Sequence, residues 1–135
     1  MKIISKVLSK NDTGESKGHQ AGFYIPRNFV SFFPLLDESV LNPRREIIFK
    51  DENSGEWVFN YIYYNNSYFE GTRNERRLTH TAKYIKHNNL KNSDTIFLSN
   101  EDGNYSIRYE KNKLDSKENK IKKIILKNKW KVIKV

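Results

Sequence analysis

Hydrophobic residues in this chain come mostly in short runs with an alternating in-and-out pattern, broken by polar clusters, which is the period of half-buried strands. Lys2 to Leu8 carries Ile3, Ile4, Val7 and Leu8 and reads as an opening strand. Ala21 to Ile25 places Phe23 and Ile25 on one side and Tyr24 on the other. Arg45 to Lys50 and Glu56 to Tyr64 predict two strands around an acidic turn from Asp51 to Gly55, and a returning strand begins within Arg76 to His80. Asp94 to Ser99 and Tyr105 to Glu110 predict a hairpin whose turn is Asp102-Gly103. Helical spacing is confined to two places. Asn28 to Phe33 gathers Phe29, Phe32 and Phe33 between Pro26 and Pro34, and Thr81 to Asn88 opens on a threonine suited to cap a helix. Lys10 to Gln20 holds two glycines and no large apolar residue, which predicts a loop of about a dozen residues. Seven or so strands with two short helices describe a mainly β protein, an open barrel or pseudobarrel.

At 135 residues the chain suits one domain with a real core. No run approaches eighteen apolar residues, and Met1 to Asp12 lacks the apolar stretch of a secretory signal. With no cysteine there is no disulfide framework or thiolate zinc site, so a cytoplasmic protein without a cofactor is expected. The net charge of +9 is unevenly placed. Residues 111–135 hold ten lysines against Asp115 and Glu118, while the other 110 residues hold fifteen Lys and Arg against fourteen Asp and Glu. The chain therefore divides into a nearly neutral domain, 1–110, and a basic segment, 111–135. That segment suits a tail, a linker or an extra strand: Ile121, Ile124 and Ile125 fit a helix, and Trp130 to Val135 fits a strand.

Locally clustered chemistry lies between the predicted strands, in Tyr68 to Thr79 (Y-F-E-G-T-R-N-E-R-R-L-T). Arginine can bridge O6 and N7 of guanine, asparagine can pair with adenine, and glutamate can accept from the cytosine amino group. Arg73, Arg76 and Arg77 offer forked donors for guanine or phosphate, beside Thr72 and Asn74. A carboxylate among them would be repelled by phosphate. Glu75 therefore accepts from cytosine, orients a neighbouring arginine, or is an ordinary cross-strand partner of Arg77. In the predicted loop, Lys10 and Lys17 suit phosphate contacts or plain solvation, and His19 and Gln20 can donate to bases or to nearby backbone. The hydroxyl of Tyr24 reaches a phosphate or caps the sheet. Catalytic signals are poor. Asp115-Ser116-Lys117 and Glu118-Asn119-Lys120 match half of a metal-nuclease motif without a partner carboxylate, and His19, His80 and His87 lack metal-ligand spacing.

Two segments in order, S-K-G-H-Q-A-G-F-Y-I-P at Ser16 to Pro26 and F-E-G-T-R-N-E-R-R-L-T at Phe69 to Thr79, resemble the N-terminal DNA-recognition domain family of the restriction endonuclease EcoRII. The resemblance runs from about Ile3 to Glu110 and implies the DNA-binding pseudobarrel. That fold is shared with plant transcription-factor domains and with the C-terminal domain of the endonuclease BfiI. It further implies two arms gripping the major groove of a short duplex site. His19 and Tyr24 fall in the first arm and its following strand; Arg73, Glu75, Arg76 and Arg77 fall in the second. The implied role is sequence-specific recognition within a restriction system, with cleavage supplied by a nuclease domain or subunit. A reading from another class is a basic-tailed interaction module, its tail an amphipathic helix on an anionic membrane or a protein partner.

Overall fold

The computed structural model describes residues 1–17, 22–112 and 130–135. His19 and Gln20 lie outside these residues, as do the helical reading of Ile121 to Ile125 and the nuclease-like triplets at 115–120. Eight strands form one curled sheet: β1 (Lys2–Val7), β2 (Phe23–Ile25), β3 (Arg44–Lys50), β4 (Glu56–Tyr64), β5 (Glu75–Thr79), β6 (Thr95–Glu101), β7 (Asn104–Glu110) and β8 (Trp130–Lys134). Their order is β2-β5-β4-β3-β7-β6-β1-β8. Neighbours run antiparallel except β3 and β7, which touch in parallel at Phe49–Tyr105 and Lys50–Ser106. That short parallel contact joins two antiparallel halves into an open barrel, the pseudobarrel architecture expected from the strand pattern. The expected count of seven strands omits β8, which pairs with β1.

The alternating pattern fixes which side chains fill the barrel. Phe23 and Ile25 of β2, Phe59 and Tyr61 of β4, Leu78 of β5 and Leu98 of β6 are all buried in one cluster. Phe29, Phe32 and Phe33 close one end of it from a short 3-10 helix, Arg27–Phe32. Pro26 and Pro34 leave this segment too short for an α-helix, and its last turn closes by an i→i+3 bond from the Phe33 N–H to the Val30 carbonyl. Phe33 stacks on Tyr61 with ring centres 4.7 Å apart. In the β6–β7 hairpin, Asp102 and Gly103 both adopt positive φ, 52° and 86°, the twist that matches the flanking strands.

Two local expectations are corrected. The predicted loop after β1 contains a helix, α1 (Lys10–Thr13), started by a capping box. The Ser9 hydroxyl accepts from the Asp12 N–H, and the Asp12 carboxylate accepts from the Ser9 N–H at 2.9 Å. The second helix, α2 (Ala82–His87), begins where predicted, but Thr81 does not cap it through its side chain. Its backbone is already helical (φ −89°, ψ −11°), so the hydroxyl is not swung over the first turn. The Thr81 hydroxyl is instead buried without a hydrogen-bond partner.

Candidate nucleic-acid interface

Two connections project on either side of the β2–β5 ladder. The first joins β1 to β2; its described residues are 8–17, which contain α1, and Gly22. A Cβ on Gly22 would stand 2.2 Å from the Leu78 carbonyl oxygen and 2.8 Å from the Thr79 Cα, and its φ is +75°. Only glycine lets this chain lie so close against the far end of β5. The second projection, residues 65–74, enters β5 at its near end, Glu75. Thr79 and Glu75 are four strand steps apart, so the two roots stand about 13 Å apart, close to the width of a B-DNA major groove.

Local chemistry shapes the second projection. Asn66–Phe69 forms a 3-10 turn, and Glu70 follows in the left-handed region at φ 69°. The Asn66 side-chain oxygen accepts from the Arg73 N–H at 2.7 Å, and its backbone carbonyl accepts from Gly71 N–H at 2.7 Å. A Cβ on Gly71 would come within 2.5 Å of that side-chain oxygen, which is why glycine introduces the arginine run. Thr72 and Arg73 are exposed at the turn, and Tyr68, 72% exposed, stands at its outer edge.

The strand pleat then divides the run. Glu75 and Arg77 project from one face of β5, where Arg77 lies opposite Tyr24 of β2. Arg76 projects from the other face with Leu78, beside Tyr63 and Ile25. On the first face, the two oxygens of Glu75 are shared. One accepts from Arg73 Nε at 2.9 Å and lies 2.8 Å from Arg73 Nη2; the other accepts from Arg77 Nε at 3.1 Å. The Arg73 guanidinium rests 3.8 Å from the centre of the Tyr64 ring. The expected cross-strand pairing of Glu75 is corrected: its partners lie two residues either side of it along the same segment. Partial burial raises the Glu75 pKa, but the Arg73 hydrogen bond and the charges of both arginines outweigh it and leave it lowered.

Arg76 is otherwise employed. Its guanidinium lies 3.8 Å from the centre of the Tyr63 ring and donates to Glu38 at 3.4 Å. Beneath it the Tyr61 hydroxyl is pushed up to about 12, chiefly by burial and against the pull of the Arg76 charge. Asn74, exposed, uses its side-chain oxygen to accept from the Tyr63 hydroxyl at 2.8 Å. Tyr24 is half exposed on the Arg77 face, and Lys10 and Lys17 are exposed on the first projection.

The structure thus brings Tyr24, Arg77, Glu75 and Arg73 into one line and turns Arg76 away from it. Three participants escape the sequence reading. Tyr64 supports Arg73, Asn66 holds the turn, and Glu38 reaches Arg76 from the connector between the Phe-rich helix and β3. Asn66 has a local signal, an asparagine five residues before a glycine-led turn. Glu38 and Tyr64 have none, because their partners are distant or across a turn. Among the described residues no group of His, Asp and Glu is arranged to hold a metal ion, and no helix is long and apolar enough to cross a membrane.

Comparison with known proteins places this geometry. The chain is 38% identical over 81 residues to the type II restriction enzyme EcoRII of Escherichia coli, a match covering 57% of this chain and 20% of that enzyme. It is 31% identical over 103 residues to auxin response factor 15 of Oryza sativa subsp. japonica, covering 75% of this chain and 13% of that protein. The chain therefore spans only a small part of the relatives it matches. In fold it is similar to the protein of an Arabidopsis FUS3–DNA complex, with a TM-score of 0.62 and 20% identity over 79% of this chain and 94% of that one. The family model for the N-terminal region of the restriction endonuclease EcoRII matches residues 1–98, the span that contains both projections and the line of residues between them, and the chain belongs to that family.

Proposed function

We propose that this chain binds double-stranded DNA at a short specific sequence, with its two projections in the major groove, as the recognition module of a restriction system. The observation that carries the proposal is the Tyr24–Arg77–Glu75–Arg73 line, set between two roots about one groove width apart. Membership in the EcoRII N-terminal family supports it, and so does the fold shared with a DNA-bound plant protein. Base reading is assigned to Arg73, Asn74 and Arg77. Glu75 holds the two arginines in register; with both of its oxygens engaged by arginine, it is poorly placed to accept from a cytosine. Arg76 anchors the root of the projection through Tyr63 and Glu38. His19, Gln20 and Thr72 complete the groove contacts from the two projections. Lys10, Lys17 and Tyr24 take phosphates. Cleavage belongs to a nuclease domain or subunit acting with this module.

The test is selection of bound duplexes from a random-sequence pool, followed by titration of the selected duplex and a scrambled one. Wild-type protein should prefer the selected duplex by orders of magnitude. Arg73→Ala should remove most of that preference, since one good bidentate contact carries about 1–3 kcal/mol of discrimination. Replacing the lysines of 113–129 by glutamine should weaken both duplexes alike and flatten the salt dependence. Failure of any sequence to enrich would overturn the proposal.

A further inference from the structure

Among the described residues, the two outer strands of the sheet, β2 and β8, are linked through Trp130. The Trp130 indole N–H donates to the Tyr24 carbonyl at 2.8 Å. Its ring centre lies 5.8 Å from that of Phe29, in the 3-10 helix Arg27–Phe32 that follows β2. It also stands near Lys6, whose Nζ is 5.9 Å from the indole centre. That distance is at the limit of a useful cation–π attraction, so the ring acts on Lys6 mainly by keeping water from it. Lys6 needs the shelter: it is 4% exposed and donates to the equally buried Asp12. Asp12 in turn completes the capping box that starts α1.

Trp130 therefore touches both roots of the first projection. Through Lys6, Asp12 and Ser9 it supports the entering root, and through Tyr24 and Phe29 it supports the leaving one. The remaining residues of β8 are exposed, Val132 and Ile133 about half so, which makes Trp130 the most buried side chain of the strand. A cavity of about 470 Å³ lies under the same roots, lined by Asp12, Gly22, Tyr24, Arg77 and Trp130 among others. Shortening the side chain at 130 would remove one wall of that hollow.

We infer that Trp130 is a positioning residue for the first projection. By tying β8 to β2, it sets where that projection stands relative to the Arg77 face, and so contributes to sequence discrimination without touching DNA. The inference rests on the two-projection reading for its DNA consequence, but its structural half does not.

The full chain should be compared with Trp130→Ala, Trp130→Phe and, as a control on the same strand, Val132→Ala. The first measurement, amide hydrogen exchange, needs no DNA. Trp130→Ala should speed exchange in peptides covering residues 9–17 and 22–29 by about tenfold, while β6 and β7 keep their protection. Trp130→Phe keeps ring packing and loses one hydrogen bond, so it should show about a two- to fivefold effect. Val132→Ala should match wild type. In the second measurement, the ratio of affinities for selected and scrambled duplexes should fall in the same order, with affinity for the scrambled duplex little changed.

Faster exchange confined to β1 and β8, with residues 9–29 unaffected, would overturn the inference. Uniform loss of protection in Trp130→Ala and Trp130→Phe alike would also overturn it, by making Trp130 a general stability residue. If wild-type protein shows no sequence preference at all, the DNA reading fails while the exchange pattern still decides the role of Trp130.

Discussion

Replacing Glu75 by glutamine leaves the shape of the side chain and removes its charge, and the structure gives this change opposite signs in two assays. In the folded protein the carboxylate takes Arg73 Nε and Nη2 on one oxygen and Arg77 Nε on the other. The partners are partly exposed, with side-chain accessibilities of 43% for Arg73, 20% for Arg77 and 24% for Glu75, so solvent screening limits their worth. The expected loss of stability is about 1 kcal/mol. On DNA the effect divides. Two guanidiniums released from their carboxylate gain access to phosphates, so a scrambled duplex should bind more tightly, with a salt slope steeper by about one to two. The selected duplex should lose the equivalent of one oriented bidentate contact, about 1–3 kcal/mol, or about 5- to 150-fold in discrimination. Fluorescence-anisotropy titrations of both duplexes at several salt concentrations measure both numbers. Were the glutamine variant to bind every duplex more tightly by the same factor, Glu75 would be a surface counter-charge and nothing more, and the orienting role would be refuted.

Gly22→Ala should destabilise the protein by about 2–4 kcal/mol, because the new Cβ meets the Leu78 carbonyl oxygen at 2.2 Å in a left-handed backbone; a urea midpoint equal to wild type would contradict this. Tyr64→Phe should keep discrimination, since the ring under Arg73 remains, whereas Tyr64→Ala should lower it about three- to fivefold, as read by competition between selected and scrambled duplexes. Asp51 is held low by the Trp57 indole bond and by the Gly55 and Asn53 N–H groups. A lowered carboxylate stabilises the fold above its ordinary value and stops doing so as pH falls through its folded-state value. Stability measured from about pH 6 down to about pH 3 should therefore decline less steeply in Asp51→Asn than in wild type.

The strands were legible because their signal is local. Phe23-Tyr24-Ile25 announces its inner and outer sides without help, and the Asp102-Gly103 turn names its own hairpin. The candidate line was legible as composition but not as geometry. Nothing in R-N-E-R-R says where the strand begins, and the pleat starting at Glu75 is what separates Arg76 from Arg77. A shift of one residue would have exchanged their faces. The helix at Lys10 could have been read from Ser9 and Asp12, a serine with an acid three residues on, had the glycines and polar residues around it not argued for a loop. The Trp130–Tyr24 bond spans 106 residues, and no local pattern carries a contact of that range. The same holds for the parallel meeting of β3 and β7, which joins the two halves of the barrel.

A carboxylate in a surface proposed to bind a polyanion needs a reason, and comparing magnitudes supplies one. Arginine side chains lose about 0.5–1.5 kcal/mol of rotamer freedom each when a complex immobilises them. Arg73, laid on the Tyr64 ring and bonded to Glu75, and Arg77, bonded to the same carboxylate, have given up much of that freedom before any ligand arrives. The opposing cost is repulsion between Glu75 and phosphate. At physiological salt that repulsion is screened over about 8 Å, and two adjacent guanidiniums already compensate it. The ordering of the arginines is not screened, so the balance favours keeping the carboxylate wherever geometry decides binding. The balance reverses where total charge decides it, as in residues 111–135, where ten lysines face two acids. On the proposed reading, discrimination and bulk attraction fall to different parts of one chain, and the Trp130 bond to the Tyr24 carbonyl links β8 to the strand that carries Tyr24.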